Sequence, residues 1–359
     1  MAEAVNLKNR IHGADIFASS QLLNINEDEI IDFSSNINIY SPDIDYKKIL
    51  DGIKSNINKY PDIKYEKLRH NLSRIYKIDG KYIVPGNGAT ELIYLIMKLP
   101  DIMNVGIFNP TFCEYDRAAT IAKKNVFNLT FDLLETGNER KLVTSIEKLD
   151  LIVICNPNNP TGEIKDITRL AELSKKYNSL LFVDETFIDF TDNTPKSMLS
   201  NIENDSNLIV LKAITKFYAM PGARLGYVFS SSLDIVNKMW DYKEPWTVNS
   251  MAQELVKQIE PLDITNLTQS YYKSEIIRLK GLYKDLNIIV SDSVTNYLLL
   301  KLPNGNKGVD LKLELLKKYN LLIRTCNDFI GLDDSYVRIS IKTQKQNTFL
   351  YEAIKMEVR

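Results

Sequence analysis

Between Lys81 and Phe229, short apolar runs alternate with amphipathic stretches, and this alternation constrains the fold more than any other feature. Five runs have the length and composition of buried strands: 104–108, 151–155, 180–183, 208–211 and 226–229. Three stretches, 91–99, 113–123 and 167–177, have the apolar spacing of helices. Such alternation predicts an α/β fold with a mainly parallel sheet flanked by helices. Ligands of these folds bind at the carboxyl ends of the strands.

After about Trp246 the pattern changes and indicates a smaller α+β unit. We expect helices over 264–286, 309–319 and 346–356, and strands over 287–290, 296–301, 321–324 and 337–341. The first 40 residues lack strong periodicity and are expected to dock as an arm. The predicted organisation is an N-terminal arm over 1–40, a large domain over 41–250 and a small C-terminal domain over 251–359.

Composition excludes several classes of function. The chain has 359 residues, 44% of them hydrophobic, and a net charge of −1, which is typical of a globular protein without a nucleic-acid or anionic membrane partner. Its 3 cysteines and 2 histidines are scattered, so we expect no disulfide framework and no metal site. Residues 1–10 lack the apolar core of a signal peptide, and the longest apolar runs are strand-sized. We therefore expect a cytoplasmic protein.

A lysine and an arginine follow the predicted strand 208–211. Desolvation lowers the pKa of a lysine such as Lys216 and favours the free amine that attacks an aldehyde. Arg224 lies between two glycines that allow the backbone to approach an anion. The alternative is a surface lysine and arginine that flank a turn.

Two further polar groups follow strands 180–183 and 151–155. Asp184 is placed to keep a heteroaromatic nitrogen protonated, although an aspartate here could also cap a helix. Asn159 lies in a segment with two Asn-Pro steps and Gly162, which fixes a turn and holds an amide where it can donate to a phenolate oxygen. An ordinary turn is the alternative for this segment.

The segment 85–91 is a glycine-rich turn that opens a helix, and the free N–H groups of a helix start bind phosphate. Such turns are common, so this signal is weak by itself. Together, the four segments offer a phosphate site, a carboxylate for a ring nitrogen, an amide for a ring oxygen and an amine for an aldehyde. This inventory predicts pyridoxal 5′-phosphate as the cofactor.

Over essentially its whole length, the chain resembles the fold-type-I pyridoxal-phosphate enzymes of the aminotransferase class I/II family. It is more similar to the threonine-phosphate decarboxylases of cobalamin synthesis than to the histidinol-phosphate aminotransferases. The resemblance rests on the segments 12–13, 32–38, 109–115, 184–190, 215–222 and 245–249. Phe187 contributes to this choice, because the aminotransferases usually have a tyrosine there.

The resemblance implies a role for each residue around the cofactor. Lys216 would bond to the cofactor aldehyde and later move protons, Asp184 would pair with the ring nitrogen, and Asn159 would donate to O3′. Phe112 would stack on the ring. The cofactor phosphate would be held by Gly88, Ala89, Thr90, Thr215 and Arg224. Tyr60 would reach the phosphate of the partner subunit, which implies a homodimer.

The resemblance also implies a phosphorylated amino acid as substrate. Arg338 would bind its α-carboxylate near Asn159, and its phosphate would lie near His12, Gly13, Asn36 and Arg324. The implied reaction is decarboxylation of L-threonine O-3-phosphate to (R)-1-aminopropan-2-yl phosphate for cobamide biosynthesis. Decarboxylation of L-serine phosphate to ethanolamine phosphate remains open, because a single methyl group is discriminated by only about 10–200-fold. A histidinol-phosphate-type aminotransferase using 2-oxoglutarate and glutamate, and a non-catalytic binding protein, are the other hypotheses.

Two positions depart from the family pattern. Ala213 replaces the hydroxyl residue usually found three positions before the lysine, which removes a phosphate hydrogen bond worth about 1–3 kcal/mol. The segment 324–329 has the sequence Arg-Thr-Cys-Asn-Asp-Phe in place of Arg-Asp-Cys-Ser-Asn-Phe. This second change leaves the identity of the amino acid open.

Overall fold

The computed structural model describes residues 13–192, 197–259, 262–303 and 305–358. His12 lies outside the described residues. The strands, in chain order, are β1 (Ile31–Asp32), β2 (Ile83–Asn87), β3 (Asn104–Asn109), β4 (Asn125–Thr130), β5 (Leu151–Cys155), β6 (Leu180–Asp184), β7 (Leu208–Ala213), β8 (Leu225–Phe229), β9 (Ile289–Val290), β10 (Tyr297–Lys301), β11 (Leu321–Leu322), β12 (Arg324–Thr325) and β13 (Tyr336–Ser340). The helices are α1 (Ile16–Leu23), α2 (Tyr46–Asn56), α3 (Glu66–Tyr76), α4 (Gly88–Lys98), α5 (Glu114–Ile121), α6 (Glu139–Ile146), α7 (Thr168–Lys176), α8 (Leu233–Tyr242), α9 (Ser250–Val256), α10 (Leu262–Lys284), α11 (Gly308–Tyr319) and α12 (Gln344–Glu357).

The central sheet has seven strands in the order β2-β8-β7-β6-β5-β3-β4. Strands β3 to β7 pair in parallel, whereas β8 is antiparallel to both of its neighbours. Successive residues of β5 belong to two apolar clusters: Leu151 and Val153 pack on one face, and Ile152 and Ile154 on the other. Because both faces are covered, these strands appear in the sequence as continuous apolar runs. The predicted α/β fold with a mainly parallel sheet is confirmed.

The two edge strands were not predicted from the sequence. Strand β2 contains Pro85 and Gly86, and we interpreted this segment as a turn; the structure places both residues in a strand that pairs with β8. An edge strand tolerates proline because its outer N–H groups need no partner. Strand β4 was missed because most of its residues are partly or fully exposed, so it lacks an apolar run.

The C-terminal part contains an antiparallel sheet of order β12-β13-β10-β9, together with the long helix α10 and the helices α11 and α12. The predicted strand 321–324 is divided at Ile323: β11 pairs in parallel with β1, and β12 pairs with β13. Pairing of β1 with β11 joins the N-terminal segment to the C-terminal part of the chain. Among the described residues, no helix is both long and apolar enough to span a bilayer.

Candidate active site

A cavity of about 330 Å³ lies at the carboxyl edge of the central sheet, where the loops after β3, β5, β6 and β7 meet. It gathers most of the residues predicted from the sequence: Gly13, Asn36, Ala89, Thr90, Phe112, Asn159, Asp184, Thr215, Lys216, Arg224, Arg324 and Arg338. Segments separated by more than 300 residues therefore contribute to one concave surface, as a ligand site requires.

One end of the cavity has the features of an anion site. Helix α4 begins there at Gly88, which has a φ of +78°, and Ala89 and Thr90 of its first turn line the cavity. A Cβ atom on residue 88 would lie 2.5 Å from Nη2 of Arg224, so only glycine allows this guanidinium to lie against the helix start. With the hydroxyl residue Thr215 nearby, the backbone N–H groups and the cation favour a phosphate.

Asp184 ends β6 with its carboxylate at the wall of the cavity. Its Oδ1 accepts from the backbone N–H of Thr186 at 2.8 Å, and its Oδ2 accepts from the hydroxyl of Tyr115 at 2.6 Å. Burial raises the pKa of Asp184, while the hydrogen bonds from Thr186 and Tyr115 and the charge of Lys216 act in the opposite direction. A cationic ring nitrogen beside this carboxylate would favour its ionised form.

Lys216 follows β7 and is fixed through its backbone. The N–H of Asn38 donates to the Lys216 carbonyl at 3.1 Å, and the Asn38 amide donates to the Phe217 carbonyl at 2.8 Å and to the Thr268 hydroxyl at 3.1 Å. Burial and the charges of Arg338 and Arg224 together lower the pKa of the Lys216 amine to about 8. About a tenth of the amine is therefore unprotonated at pH 7, far more than for a lysine with its ordinary pKa.

A chain of hydrogen bonds connects Asn159 with the N-terminal segment. Arg338 donates through Nη1 to Oδ1 of Asn159 at 2.5 Å, and through Nη2 to the carbonyl of Ser34 at 2.7 Å. The side-chain oxygen of Asn159 is thereby engaged by Arg338, and its NH₂ group is the part of the amide that can donate to a ligand. Ser34 also accepts from the N–H of Ala14 through its hydroxyl at 2.7 Å. Gly13 lies so close that a Cβ on it would be 2.3 Å from the Ser34 carbonyl oxygen.

Two arginines face each other at the other end of the cavity. Arg324 on β12 and Arg338 on β13 are direct partners in the antiparallel register, and they are 4% and 7% exposed. Burial and the neighbouring Arg324 charge together lower the pKa of Arg338 to about 10. Like charges opposite each other destabilise a sheet. An anionic ligand beside the two guanidinium groups would reduce this repulsion.

Tyr60 is the one described residue of the predicted set that lies far from the cavity lining. Its side chain is 82% exposed and contacts Trp246, with ring centroids 4.7 Å apart. Trp246 in turn donates through Nε1 to the Pro61 carbonyl at 3.1 Å. The two aromatic rings thus form an exposed pair on the surface of the chain.

Several residues of the site were not assigned a role from the sequence. Tyr115 is one helical turn from Phe112, and a search for buried hydroxyls after a strand would have found it. The roles of Ser34 and Asp32 depend on contacts between distant segments: Asp32 Oδ1 accepts from the N–H and hydroxyl of Ser34 at 2.7 and 2.5 Å. Asp328, which bonds to Arg324, was noted only as a departure from the family pattern.

Comparison with known proteins places this geometry in a family. The family model described as aminotransferase class I and II matches residues 28–354. The threonine-phosphate decarboxylase of Salmonella typhimurium is 31% identical over 97% of each chain. The structure is similar to that of a histidinol-phosphate aminotransferase from Clostridium acetobutylicum, with a TM-score of 0.82, 32% identity and coverage of 90% of this chain and 97% of the other. It is also similar to that of an L-threonine-O-3-phosphate decarboxylase from Porphyromonas gingivalis, with a TM-score of 0.77, 26% identity and coverage of 90% and 98%. The resemblance found in the sequence is therefore confirmed, and the chain belongs to the aminotransferase class I and II family, whose members depend on pyridoxal phosphate.

Proposed function

We propose that this protein is a pyridoxal-phosphate-dependent decarboxylase of a phosphorylated amino acid, with L-threonine O-3-phosphate as the first candidate substrate and cobamide biosynthesis as the pathway. The observation that carries the proposal is the pair of buried, cross-strand arginines, Arg324 and Arg338, in the cavity that also holds Lys216. Two cations suit a substrate with two anionic groups, a carboxylate and a phosphate. The similarity to threonine-phosphate decarboxylases supports the same substrate class.

The residues of the cavity fit the cofactor. The cofactor phosphate is suited by three features at the start of α4: the lack of a side chain at Gly88, the Arg224 guanidinium beside it and the N-terminus of the helix itself. Asp184 suits the ring nitrogen, and the amide of Asn159 suits the ring oxygen. When bound at Lys216, pyridoxal phosphate supplies a ring that accepts the electrons released when a bond to the substrate Cα breaks.

The protein's own groups then determine which bond breaks. The bond held perpendicular to the conjugated plane breaks most readily, so orientation of the substrate selects the reaction. In this proposal Arg324 binds the substrate phosphate and Arg338 the carboxylate, and the two contacts together would turn the carboxylate out of the plane. Lys216, with its pKa lowered to about 8, can hold a proton and deliver it to Cα after CO₂ has left.

Phe187 supports decarboxylation in preference to transamination. Its ring lines the cavity, is 5% exposed and packs edge-on against Tyr297 at 4.9 Å. Phenylalanine offers no hydroxyl to the cofactor oxygen, whereas the aminotransferases of the family usually have a tyrosine there. Asn159 would then be the main donor to that oxygen.

The alternative is a histidinol-phosphate-type aminotransferase that uses 2-oxoglutarate and glutamate. This alternative is favoured by the similarity to the aminotransferase structure. It is also favoured because Arg338 could equally hold a carboxylate in the plane.

One assay separates the two reactions. The purified enzyme is supplied with L-threonine O-3-phosphate, or with L-serine phosphate in parallel, and CO₂ is measured without any 2-oxo acid. Release of CO₂ with formation of the amine is expected; a requirement for 2-oxoglutarate with production of glutamate would refute the decarboxylase.

The proposal includes a homodimer in which Tyr60 acts at the partner's site. The support is the exposed pair of Tyr60 and Trp246, since large exposed aromatic rings are common at protein interfaces. Mixed dimers test it. Tyr60→Ala and Lys216→Ala subunits, each of low activity alone, should regain about a quarter to half of wild-type activity on mixing, because one of the two sites would be intact. Absence of any recovery in mixed dimers of proven composition would argue against a shared site.

A further inference from the structure

Arg324 is bonded to two residues of its own segment. Its Nη2 donates to Oδ2 of Asp328 at 2.5 Å, and its Nη1 donates to the Thr325 carbonyl. The Arg324 side chain is 5% exposed and that of Asp328 is 24% exposed, so the ion pair is largely shielded from water. The guanidinium also lies 5.2 Å from the centre of the Phe329 ring, which fixes its plane. Arg324 is therefore held before any ligand arrives.

Asp328 approaches Arg324 from a second, smaller space. Within the described part of the chain, the large cavity is lined by Arg324 and Phe329, whereas Asp328 lines an adjoining cavity of about 60 Å³ together with Thr111 and Cys113. Asp328 is not among the residues that line the large cavity, so an anion bound there would share the Arg324 guanidinium with a carboxylate of the adjoining space.

This arrangement has two opposing electrostatic effects. The carboxylate compensates a buried cation, which would otherwise be costly to the folded state. It also repels a second anion at the same guanidinium and weakens the attraction between Arg324 and a phosphate. In the proposed reaction, substrate and product both carry the phosphate. Tighter phosphate binding would therefore raise the affinity for substrate and for product by the same factor. It would slow product release without lowering the chemical barrier.

We propose that Asp328 is a positioning residue that holds Arg324 and moderates its affinity for the substrate phosphate, so that the phosphorylated product can leave. The proposal deepens the proposed function and rests on it, because it requires a phosphorylated ligand at Arg324. It also gives a physical role to one of the positions at which this chain departs from the family pattern.

The test is the variant Asp328→Asn, which keeps an oxygen acceptor for Arg324 and removes the negative charge. Inorganic phosphate is titrated calorimetrically into the cofactor-loaded enzyme, in which the phosphate site at α4 is already filled. We expect the Kd for inorganic phosphate to fall by about 3- to 10-fold, the order of magnitude for removing the repulsion between unit charges a few ångström apart at high dielectric. In turnover of L-threonine O-3-phosphate, KM should fall in the same proportion and kcat should not rise. An unchanged or raised Kd would overturn the proposal.

Two further variants complete the design. Asp292→Asn removes an exposed carboxylate that pairs with Lys280 at 2.7 Å, and should leave the Kd for phosphate within about twofold of wild type because exposed charges are screened. Asp328→Gln, which also lacks the charge and keeps an amide oxygen as acceptor, is the second variant if the asparagine protein does not fold, with the same expected direction. The titration needs no turnover, so tighter phosphate binding without decarboxylation would refute the proposed function and retain the role of Asp328. Decarboxylation by the wild type, together with a Kd for phosphate that Asp328→Asn leaves unchanged, would retain the proposed function and refute the role of Asp328.

Discussion

Replacement of Lys216 by methionine should make the cofactor-free protein more stable at neutral pH, while the proposed activity should be lost. Burial and two arginines lower the pKa of this amine from the usual 10.5 to about 8 in the folded protein. A difference of 2.5 pKa units corresponds to about 3.4 kcal/mol of disfavoured protonation. Because the side chain is only partly shielded and still lines the cavity, we expect about 2–3 kcal/mol of this cost to be relieved by methionine.

The stability advantage of Lys216→Met depends on pH, because the folded and unfolded chains bind different numbers of protons at this lysine. Between about pH 8 and 10.5 the unfolded chain binds more protons at this lysine than the folded chain, so wild-type stability rises with pH in that window. Below pH 8 the amine is protonated in both states and the full cost is present. The advantage of Lys216→Met should therefore be largest below pH 8 and disappear by about pH 10.5.

Urea unfolding of the apoproteins at pH 7 and pH 10 measures the difference, and Lys212→Met is the matched control. Lys212 is 4% exposed and forms an ion pair with Asp189 at 2.8 Å, so its loss leaves a partly buried carboxylate without its partner. This control should be destabilised by about 1–3 kcal/mol, the opposite sign. A Lys216→Met protein that is no more stable than wild type at pH 7, or whose advantage does not change with pH, would refute the reasoning.

Three other substitutions test separate parts of the site. Tyr115→Phe removes the hydroxyl that donates to Asp184 and should weaken cofactor binding by about 10-fold, the effect of losing one hydrogen bond to a charged group, as measured by fluorescence titration of the apoprotein. Gly88→Ala places a Cβ 2.5 Å from the Arg224 guanidinium at a φ of +78°. It should also raise the cofactor Kd by at least about 10-fold. A circular dichroism spectrum like that of wild type would show that the fold is retained. Arg324→Gln should raise KM for the phosphorylated substrate by about 100-fold, as loss of a charged contact to phosphate implies, and an equal KM would remove Arg324 from the phosphate site.

Much of the fold could be predicted from the sequence because strands that are buried on both faces appear in it as continuous apolar runs. The run 151–155 was predicted with the bounds that the structure gives to β5, and the predicted helix 309–319 differs from α11 by one residue. The edge strands give no such run, since β2 contains Pro85 and β4 is largely exposed. Their position is determined by pairing with β8 and β3, which is a property of the folded chain.

The same distinction applies to the site. Asp184, Asn159 and Lys216 could be placed together because each follows a strand of one parallel sheet, and the carboxyl ends of parallel strands share an edge. The contact of Arg338 with Ser34 joins residues 304 positions apart, and no local pattern predicts it. The register that sets Arg324 opposite Arg338 likewise follows only from the pairing of β12 with β13.

The central claim is that the amine of Lys216, and not that of the neighbouring Lys212, binds pyridoxal phosphate. The apoprotein is incubated with the cofactor, reduced with borohydride and digested, and the modified lysine is identified by mass spectrometry. We expect one cofactor mass per chain, located on Lys216, because the pKa of this lysine is lowered to about 8 and it lines the cavity, whereas Lys212 is held by Asp189. Modification of Lys212 or of scattered surface lysines in its place, or no modification of Lys216, would contradict the account.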